Sequence, residues 1–390
     1  MKEGWKYEKL KNICNILNGF AFKSSKYVSE GIRVIRIANV QKSCVIDSQP
    51  KFYPSSELPN IKNYLLQEGD LLMSLTGNVG RVGFIDATLL PAALNQRVAC
   101  LRLKTTHINI RYLYHYLNSD LFENICIANS TGAAQLNMST VWLANHIIPL
   151  PPLSEQERIV SLLDAEFAKI DAIKANAEKQ LQEAKALFQS ILCNLLSNDS
   201  WTYSTIGEIF KTYSGGTPHK SNKDYYEHGS IPWINSGEVC QKYIETTNNF
   251  ITEKGLKNSS AKYYPVNTVL IAMYGATAAQ SGILKFEATS NQAVCGLLPN
   301  QNYVPEFVYY WFVYNKEKVA SMAQGGAQPN LSQVKIKTIS IPLISLDDQQ
   351  QIATQLDKLS AKIQSLQSNF DTTVTLCNDL KQSILKDIFG

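Results

Sequence analysis

Two long stretches of the chain place apolar or small residues at alternating spacings of four and three. This heptad spacing is typical of a helix that packs along another helix. In the C-terminal stretch the seam runs without a break through Ile352, Leu356, Leu359, Ile363, Leu366, Phe370, Thr373, Cys377, Leu380 and Ile384. The earlier stretch has a weaker seam with two polar interruptions, at Ile159, Leu163, Glu166, Ile170, Ile173, Ala177, Gln180, Ala184, Leu187 and Ile191.

The length of these stretches favours a coiled coil over two separate amphipathic helices, each packed on its own domain. Each stretch predicts a helix of about 38 residues, or about 57 Å at 1.5 Å per residue, which would overhang a small domain. The first helix carries the chain away from the N-terminal region, so the second must run back along it. The pattern therefore predicts an antiparallel coiled coil.

The rest of the chain predicts two lobes of mixed α and β structure. Runs rich in Val, Ile and Leu, bounded by Gly, Asn and Pro, are typical of strands. RYLYHYLNSDLFENI (111–125) and PEFVYYWFVYNKEKV (305–319) predict short helices with aromatic faces. The predicted fold class is α+β: two similar mixed α/β domains joined by two long helices, with pseudo-two-fold symmetry.

The sequence repeats itself in order, at an offset of 193 to 199 residues. Matching pairs are GIRVIRIANV (31–40) with SIPWINSGEV (230–239), ALNQRV (93–98) with TSNQAV (289–294), GAAQLNMS (132–139) with GGAQPNLS (325–332), and LFQSIL (187–192) with LKQSIL (380–385). Such ordered matches indicate a tandem duplication. We expect lobe 1 at 1–150, a helical spacer at 151–198, lobe 2 at 199–344 and a second spacer at 345–390.

A proline-bearing segment precedes each long helix: PLPPLSEQERIV (149–160) and PLISLDDQQQIA (342–353). Ser154 is predicted to cap the first helix, and Asp347 the second, with Glu157 and Gln350 in the answering positions of a capping box.

Composition and charge narrow the class of protein. The 390 residues, 45% of them hydrophobic, can form two domains with cores. The eight cysteines lack CxxC spacing, which argues against a zinc site or disulfide framework and suits a reducing cytoplasm. No run of eighteen apolar residues occurs and the N-terminus does not resemble a signal peptide, so we expect a cytoplasmic protein without a membrane segment.

The net charge of +4 is small, but both lobes are basic. Residues 1–150 contain 16 Lys and Arg against 10 Asp and Glu, and residues 201–346 contain 12 against 9. This balance suits a nucleic-acid partner without requiring one.

Several segments together resemble the specificity subunit of type I restriction-modification systems. They are GFAFKSSKYVSEGIRVIRIANV (19–40), SGGTPHKSNKDYYEHGSIPWINSGEV (214–239), GAAQLNMS, AQPNLS and PLPPLSEQERIV. The resemblance implies two target recognition domains that each read half of a bipartite double-stranded DNA site. It also implies two helical spacers that dock DNA adenine methyltransferase subunits, with two copies expected, and restriction/translocase subunits in the complete system.

No catalytic motif is recognisable in the sequence. TGNVGRVG (76–83) lacks the lysine of a phosphate-binding loop, and neither a glycine-rich cofactor turn nor the Asn-Pro-Pro-aromatic motif of methyltransferases occurs. The five histidines show no metal-ligand spacing. We therefore expect no enzymatic activity, no metal and no cofactor in this chain, and expect DNA methylation and restriction to come from its partners.

The candidate DNA contacts are polar residues on glycine-supported loops, four segments in each lobe. In lobe 1 they are Lys23, Ser24, Ser25, Arg36, Asn39, Thr76, Asn78, Arg81 and Arg97. In lobe 2 they are Thr217, His219, Lys220, Ser221, Asn235, Ser236, Tyr274, Thr277 and Gln280.

Residues shared by both lobes are expected to be structural, because two lobes that read different bases should differ where they read. The shared Asn-Gln pairs, Asn95–Gln96 and Asn291–Gln292, should hold a turn. A structural role near the junction of lobe and helix is expected for Gln135, Asn137, Gln328 and Asn330.

Arginine is the commonest bidentate reader of guanine, and all seven arginines lie at or before Arg158. Lobe 1 is therefore predicted to read bases with Arg33, Arg36, Arg81 or Arg97, and lobe 2 with Lys, Asn, Gln, Thr and aromatic residues. Two other functions stay open at this point. The chain could be an adaptor whose two heads bind proteins, or an enzyme with an unrecognised site in each head.

Overall fold

The chain divides into two compact units. The computed structural model describes residues 4–132, 135–323 and 330–390, without the side chain of Ala276. Unit 1 comprises residues 1–177 with 370–390, and unit 2 comprises residues 178–369. Each unit contains one lobe and part of each long helix, so the division crosses the helices, whereas the predicted boundaries separate lobes from helices.

Lobe 1 contains eleven short strands among its described residues. They are β1 (Lys6–Lys9), β2 (Cys14–Asn18), β3 (Ile32–Ile35), β4 (Val40–Gln41), β5 (Cys44–Val45), β6 (Phe52–Tyr53), β7 (Leu71–Ser74), β8 (Val82–Phe84), β9 (Ala92–Leu94), β10 (Val98–Leu103) and β11 (Ile147–Leu150). The helices are α1 (Leu10–Ile13), α2 (Leu58–Ile61), α3 (Ile110–Leu117), α4 (Asp120–Ala128) and α5 (Thr140–Asn145), followed by the long helix α6 (Leu153–Leu196).

Two sheets form the body of lobe 1. An antiparallel sheet has the order β2-β10-β7-β8, and a second sheet has the order β6-β3-β9, in which β3 and β9 are parallel. Strand β1 pairs with β11, with Tyr7 opposite Pro149, so the start of the lobe lies beside the segment that enters α6.

Lobe 2 repeats this order of elements. Its strands are β12 (Tyr203–Thr205), β13 (Thr212–Ser214), β14 (Ile231–Ile234), β15 (Tyr243–Ile244), β16 (Phe250–Ile251), β17 (Val269–Ala272), β18 (Ser281–Leu284), β19 (Thr289–Ser290), β20 (Val294–Leu297) and β21 (Ser340–Pro342). Its helices are α7 (Ile206–Ile209), α8 (Glu253–Lys257), α9 (Pro305–Tyr314), α10 (Lys316–Ser321) and α11 (Gln333–Lys337), before the long helix α12 (Leu346–Phe389).

The sheets of lobe 2 match those of lobe 1. The order β13-β20-β17-β18 corresponds to β2-β10-β7-β8, with β15 added at its edge, and β16-β14-β19 corresponds to β6-β3-β9. Strand β12 pairs with β21 as β1 pairs with β11. The predicted α+β fold and its duplication are confirmed, and each predicted aromatic helix is two helices, α3 with α4 and α9 with α10.

Each core joins a lobe to both long helices. In unit 1 the buried rings of Tyr112 and Phe122 share one hydrophobic cluster with Leu163 of α6 and Phe389 of α12. In unit 2 the cluster likewise contains Phe307 and Phe312 of α9 together with Leu192 of α6 and Leu356 of α12. Because the start of α6 packs with the end of α12, and the end of α6 with the start of α12, the two helices are antiparallel.

Both long helices have 44 residues, somewhat more than predicted. Ile159, Leu163 and Ile170 are buried as predicted, but Ile173 and Leu187 are 55% and 58% exposed. Those two predicted seam positions are wrong by one residue. The residues one position later in the chain are buried or half-buried: Phe167 replaces Glu166, Lys174 replaces Ile173, Leu181 replaces Gln180 and Phe188 replaces Leu187.

Helix geometry explains why the predicted seam of α6 is displaced by one residue. Successive residues lie about 100° apart on a helix, so positions 166 and 167 flank the same stripe and spacing alone does not choose between them. With Phe167 and Leu181 in the seam, the polar interruptions at Glu166 and Gln180 disappear, and Lys174 is the one polar residue of this register. The half-buried Ala177 and Ile191 agree with the prediction.

The seam of α12 is correct except at one position. Leu380 is 50% exposed, and Lys381 takes its place. The Lys381 Nζ lies 2.6 Å from Asp171 Oδ1 and 5.1 Å from the centroid of the Phe167 ring, so its stem packs in the seam while its charge stays paired. The other predicted positions are buried or half-buried: Ile352, Leu356, Leu359, Ile363, Leu366, Phe370 and Ile384.

Both long helices begin earlier than predicted. The backbone N–H of Glu155 donates to the carbonyl of Pro152 (2.9 Å), so Ser154 lies inside α6 and is not its cap. Ser345 caps α12, because its hydroxyl accepts from the backbone N–H of Asp348 (3.1 Å). Ser345 also donates to the carboxylate of Asp348 (2.6 Å). Since α12 begins at Leu346, Asp347 lies inside the helix and is not its cap.

Candidate DNA interface

Three of the four candidate segments of lobe 1 meet at the turn of residues 95–97, between β9 and β10. The backbone N–H of Gln96 donates to the carbonyl of Phe20 (3.0 Å), which leads into the Lys23 segment. The N–H of Asn95 donates to Ile35 (3.1 Å), next to Arg36, and the carbonyl of Arg97 accepts from Leu75 (2.9 Å), next to Thr76. The fourth segment is the turn itself, so all four lie together.

The same turn organises lobe 2. The N–H of Asn291 donates to the carbonyl of Ile234 (3.0 Å), and the carbonyl of Ala293 accepts from Met273 (2.8 Å). The first segment is joined through side chains, because the Thr217 hydroxyl contacts the Gln292 amide oxygen. The structure thus brings together four polar segments in each lobe at equivalent places.

A glycine makes each turn possible. A Cβ atom on Gly19 would lie 2.2 Å from the carbonyl carbon of Asn95, and one on Gly215 would lie 2.2 Å from the carbonyl oxygen of Asn291. Only glycine allows this approach of two backbones. The Asn95 side chain holds the turn by accepting from the Arg97 N–H (3.2 Å), and Asn291 accepts from the Ala293 N–H (3.0 Å).

The first segment of each lobe is exposed. Lys23, Ser24 and Ser25 all lie on the surface of lobe 1. In lobe 2 His219 Nδ1 lies 2.9 Å from the Ser221 hydroxyl, and Lys220 between them is exposed. These side chains are available to a partner.

The second segment is more structural than predicted. Asn39 is 3% exposed, and its amide donates to the carbonyls of Ile46 (3.0 Å) and Ser48 (3.1 Å). The prediction that Asn39 contacts DNA is therefore wrong, because its amide is buried and both of its donor hydrogens are used within the loop. Asn235 is half-buried and accepts from the Asn291 amide (3.0 Å), while Ser236 stays partly accessible.

Within the described ranges, the third segment of lobe 1 contains one side chain without a hydrogen-bond partner and two that are engaged. Asn78 is exposed. The Thr76 hydroxyl donates to Asn137 Oδ1 (3.2 Å), and Arg81 donates to Gln41 Oε1 (2.9 Å). This places Asn137 at the edge of the candidate interface.

In lobe 2 the corresponding segment has Tyr274 on the surface. The Thr277 hydroxyl donates to the carbonyl of Tyr274 (3.2 Å), which fixes this turn. Gln280 is half-buried, and its Oε1 has no hydrogen-bond partner among the described residues. Tyr274 is therefore the most accessible of these three residues.

Two residues of the repeated GAAQLNMS segment lie beside the interface rather than at the junction of lobe and helix, where we expected them. The Gln135 amide would lie 3.6 Å from a Cβ at Gly77, and both Gln135 and Asn137 are exposed. In lobe 2 the exposed Asn330 bridges to Tyr274, and Gln328 lies outside the described residues. Of the shared Asn-Gln pairs, Asn95 and Asn291 hold the turns as expected, whereas Gln96 and Gln292 are exposed.

One arginine stands apart from the others. Six guanidinium groups are engaged: Arg33 with Asp47, Arg36 with the Gln49 carbonyl, Arg81 with Gln41, Arg102 with Asp70, Arg111 with Asp164 and Arg158 with Glu155. Arg97 is exposed, and its guanidinium has no hydrogen-bond or ion-pair partner within the described ranges. Arg33 also lies over the Phe52 ring at 5.0 Å, so it belongs to the fold of the lobe.

Two histidines of lobe 1, His115 and His146, have structural environments. His115 Nε2 lies 2.9 Å from Asp164 Oδ1, and His146 Nε2 lies 2.9 Å from the Tyr116 hydroxyl. Burial lowers the pKa of both imidazoles, and for His115 the neighbouring Asp164 opposes that effect. Among the described residues no cluster of His, Cys, Asp and Glu could hold a metal ion.

Two segments of the chain match the family model described as the type I restriction modification DNA specificity domain. The matched residues are 2–183 and 198–374, which is most of the chain. The chain belongs to this family. The two matches coincide with the two lobes and the first part of each following helix, as expected for a duplicated specificity subunit.

Similar proteins agree with the family. The EcoBI specificity subunit of Escherichia coli is 26% identical, over 99% of this chain and 86% of that protein. The EcoR124I/EcoR124II specificity subunit of the same organism is 26% identical, over 68% of this chain and 67% of its own length. The family is the DNA-recognition component of type I restriction enzymes, and the specificity subunit is not the catalytic one.

Solved structures share the fold. A chain from work on the assembly and conformational transition of a type I R-M system superposes with a TM-score of 0.76 at 19% identity, covering 100% of this chain and 98% of that chain. The HsdS subunit of Thermoanaerobacter tengcongensis has a TM-score of 0.56 at 18% identity, covering 99% and 97%. Within the part of the chain that is described, no helix is long and apolar enough to cross a membrane.

Proposed function

We propose that each lobe of this specificity subunit reads one half of a bipartite site in duplex DNA through the four segments that meet at its Asn-Gln turn. One observation carries this proposal. In both lobes the turn is held by its Asn side chain and by backbone hydrogen bonds to the second and third segments, yet it exposes Gln96 with Arg97 in one lobe and Gln292 beside the buried Ala293 in the other. A fixed scaffold with variable polar side chains suits two readers of different sequences.

This arrangement favours DNA over a protein ligand for the lobes. The exposed candidates are hydrogen-bonding and cationic side chains, among them Lys23, Arg97 and Lys220, and base edges in the major groove are recognised by such groups. The basic balance of both lobes would add phosphate contacts. An adaptor that binds proteins would instead need an apolar centre in each interface.

Binding of the complex to duplex DNA tests the proposal. The chain, purified with its methyltransferase partner, should select one bipartite sequence from a randomised duplex pool. Its affinity should fall steeply with salt, because phosphate contacts release counterions. Scrambling either half-site should reduce binding, whereas altering the bases between them should not. Equal binding to all duplexes would contradict the proposal.

The partners are proposed to include two copies of a DNA adenine methyltransferase, one for each half of the duplication. Single exposed apolar side chains are common on protein surfaces, so only their repetition is informative. Val141 and Val334, 193 positions apart, are 70% and 72% exposed. Such a pair is expected where both halves bind the same surface.

Two further pairs of exposed leucines follow the same offset. They are Leu153 with Leu346, and Leu187 with Leu380. Unit 1 contains Val141, Leu153 and Leu380, and unit 2 contains Val334, Leu346 and Leu187. Each unit thus has the same three exposed apolar residues, which supports two equivalent docking sites. The restriction/translocase subunits would join the complete system as further partners.

A further inference from the structure

The Arg97 side chain is the exception among the arginines of this protein. Its guanidinium is exposed and has no partner in the described structure, whereas the other six are held by carboxylates, carbonyls or amides. A long cationic side chain that stays free in the folded protein is available for an external ligand. The sequence alone left four arginines of lobe 1 as equal candidates.

The backbone that presents Arg97 is fixed on all sides. Its own N–H donates to the Asn95 side chain (3.2 Å), and its carbonyl accepts from Leu75 (2.9 Å). The preceding residue, Gln96, donates to the Phe20 carbonyl (3.0 Å). Because the backbone that carries the guanidinium is already rigid, orienting this group on binding costs little entropy. Bidentate hydrogen bonding depends on such orientation.

We propose that Arg97 reads a guanine in the half-site of lobe 1, donating two hydrogen bonds to O6 and N7 in the major groove. This inference rests on the proposed function of the lobes. Guanine is the base whose edge offers two adjacent acceptors to the fork of donors on arginine. Arg33, Arg36 and Arg81, in contrast, shape the loops and do not read bases.

In lobe 2 the position equivalent to Arg97 has a small apolar side chain. Ala293 replaces the arginine and is 6% exposed, and the neighbouring Gln292 is held by the Thr217 hydroxyl. The turn of lobe 2 therefore presents an amide without a cation, whereas the turn of lobe 1 presents the Gln96 amide and the Arg97 cation. The two half-sites are expected to differ at the base pair that lies against this turn.

Base-specific binding by Arg97→Ala and Arg97→Lys tests this inference. Each variant, in complex with the methyltransferase partner, is measured against duplexes that differ from the preferred site by one base pair. Arg97→Ala should lose about 10- to 100-fold of discrimination at one G·C pair of the lobe 1 half-site and none elsewhere. Arg97→Lys keeps the charge but not the fork, so it should recover overall affinity more than discrimination.

A control separates the outcomes. Arg158→Ala removes the same charge from an exposed arginine that is paired with Glu155 on α6, and it should leave base preferences unchanged. If Arg97→Ala weakens all duplexes equally while the wild-type protein selects its site, Arg97 is a phosphate contact and the inference is wrong, although the proposed function stands. If the wild-type protein itself selects no sequence, the proposed function fails first.

Discussion

Gln156 and Gln349, which are 193 positions apart, make the same three hydrogen bonds in their two units. The Gln156 amide donates to the carbonyls of His107 (3.0 Å) and Pro151 (2.8 Å), and its oxygen accepts from the N–H of Asn109 (2.8 Å). The Gln349 amide donates to the carbonyls of Asn302 and Ile344 (both 3.0 Å). Its oxygen accepts from the N–H of Val304 (2.9 Å).

Each glutamine fastens the first turn of a long helix to the loop before α3 or α9. Both side chains are fully buried, so all their polar atoms need partners inside the protein. This explains why the segments PLPPLSEQERIV and PLISLDDQQQIA remain similar: each contains the residue that fixes a lobe to its helix. The predicted capping residues, Ser154 and Asp347, do not have that role.

Replacing Gln156 with Leu should destabilise unit 1. One backbone N–H and two carbonyls would lose their buried partner, and we expect the free energy of unfolding to fall by about 2–4 kcal/mol. Urea denaturation measures the free energy of unfolding, and hydrogen exchange of the backbone amides in α3 measures the local effect in unit 1. Glu157→Ala, at the exposed neighbouring position, serves as the control with an expected change below about 0.5 kcal/mol. Equal small effects of both variants would show that the glutamine is dispensable.

Replacing either repeated valine with Asp should weaken one of the two proposed methyltransferase sites and leave the other intact. Val141→Asp and Val334→Asp each place a charge where an apolar contact is proposed, so each should weaken one methyltransferase site by about 10- to 100-fold. Native mass spectrometry should then show one bound methyltransferase in place of two, and none for the double variant.

The control for this experiment is Leu376→Asp. Leu376 is also exposed, but Glu183 occupies the position 193 residues earlier, so this leucine is not repeated. It should leave the stoichiometry unchanged. If Leu376→Asp removes a methyltransferase and the valine variants do not, repetition is the wrong criterion for the docking surface.

Lengthening both long helices by one heptad should lengthen the unread spacer of the DNA site. Seven residues inserted after Ala177 and seven after Asn369 keep the seam in phase and add about 10 Å to each helix. That distance corresponds to about three base pairs at about 3.4 Å each. Methylome sequencing of cells with this variant reads the new site, whose half-sites should be unchanged. Retained activity on the original spacer would show that the helices do not measure the distance.

Acid should destabilise unit 1 through its buried histidines. The pKa of His115 and of His146 is lowered from 6.5 by burial, so as the pH falls through that value the unfolded chain takes up protons that the folded chain does not. Stability is therefore present above pH 6.5 and decreases below it. His115 faces Asp164, Arg111 and Lys381, and its counterpart in unit 2 is Tyr310, which donates to Asp357 (2.6 Å).

The variant His146→Gln isolates this effect. Glutamine can still bond the Tyr116 hydroxyl but does not titrate, so the difference in urea midpoint between pH 7.5 and pH 5.5 should be smaller than in the wild-type protein. The Tyr310→Phe variant serves as a control in unit 2 and should leave the pH dependence of unit 1 unchanged. An identical pH dependence in His146→Gln would exclude a contribution from His146.

The duplication, the two long helices, the mixed lobes and the segments proposed to contact DNA could be predicted from the sequence, because these depend on order, periodicity and local turn chemistry. Which flank of α6 forms the seam depends on tertiary packing, since Glu166 and Phe167 are equally compatible with the spacing. The tertiary structure also decided which polar residues are free. Arg102 meets Asp70 and Arg111 meets Asp164 across 32 and 53 positions, and Arg97 remains unpaired because no such partner folds back to it among the described residues.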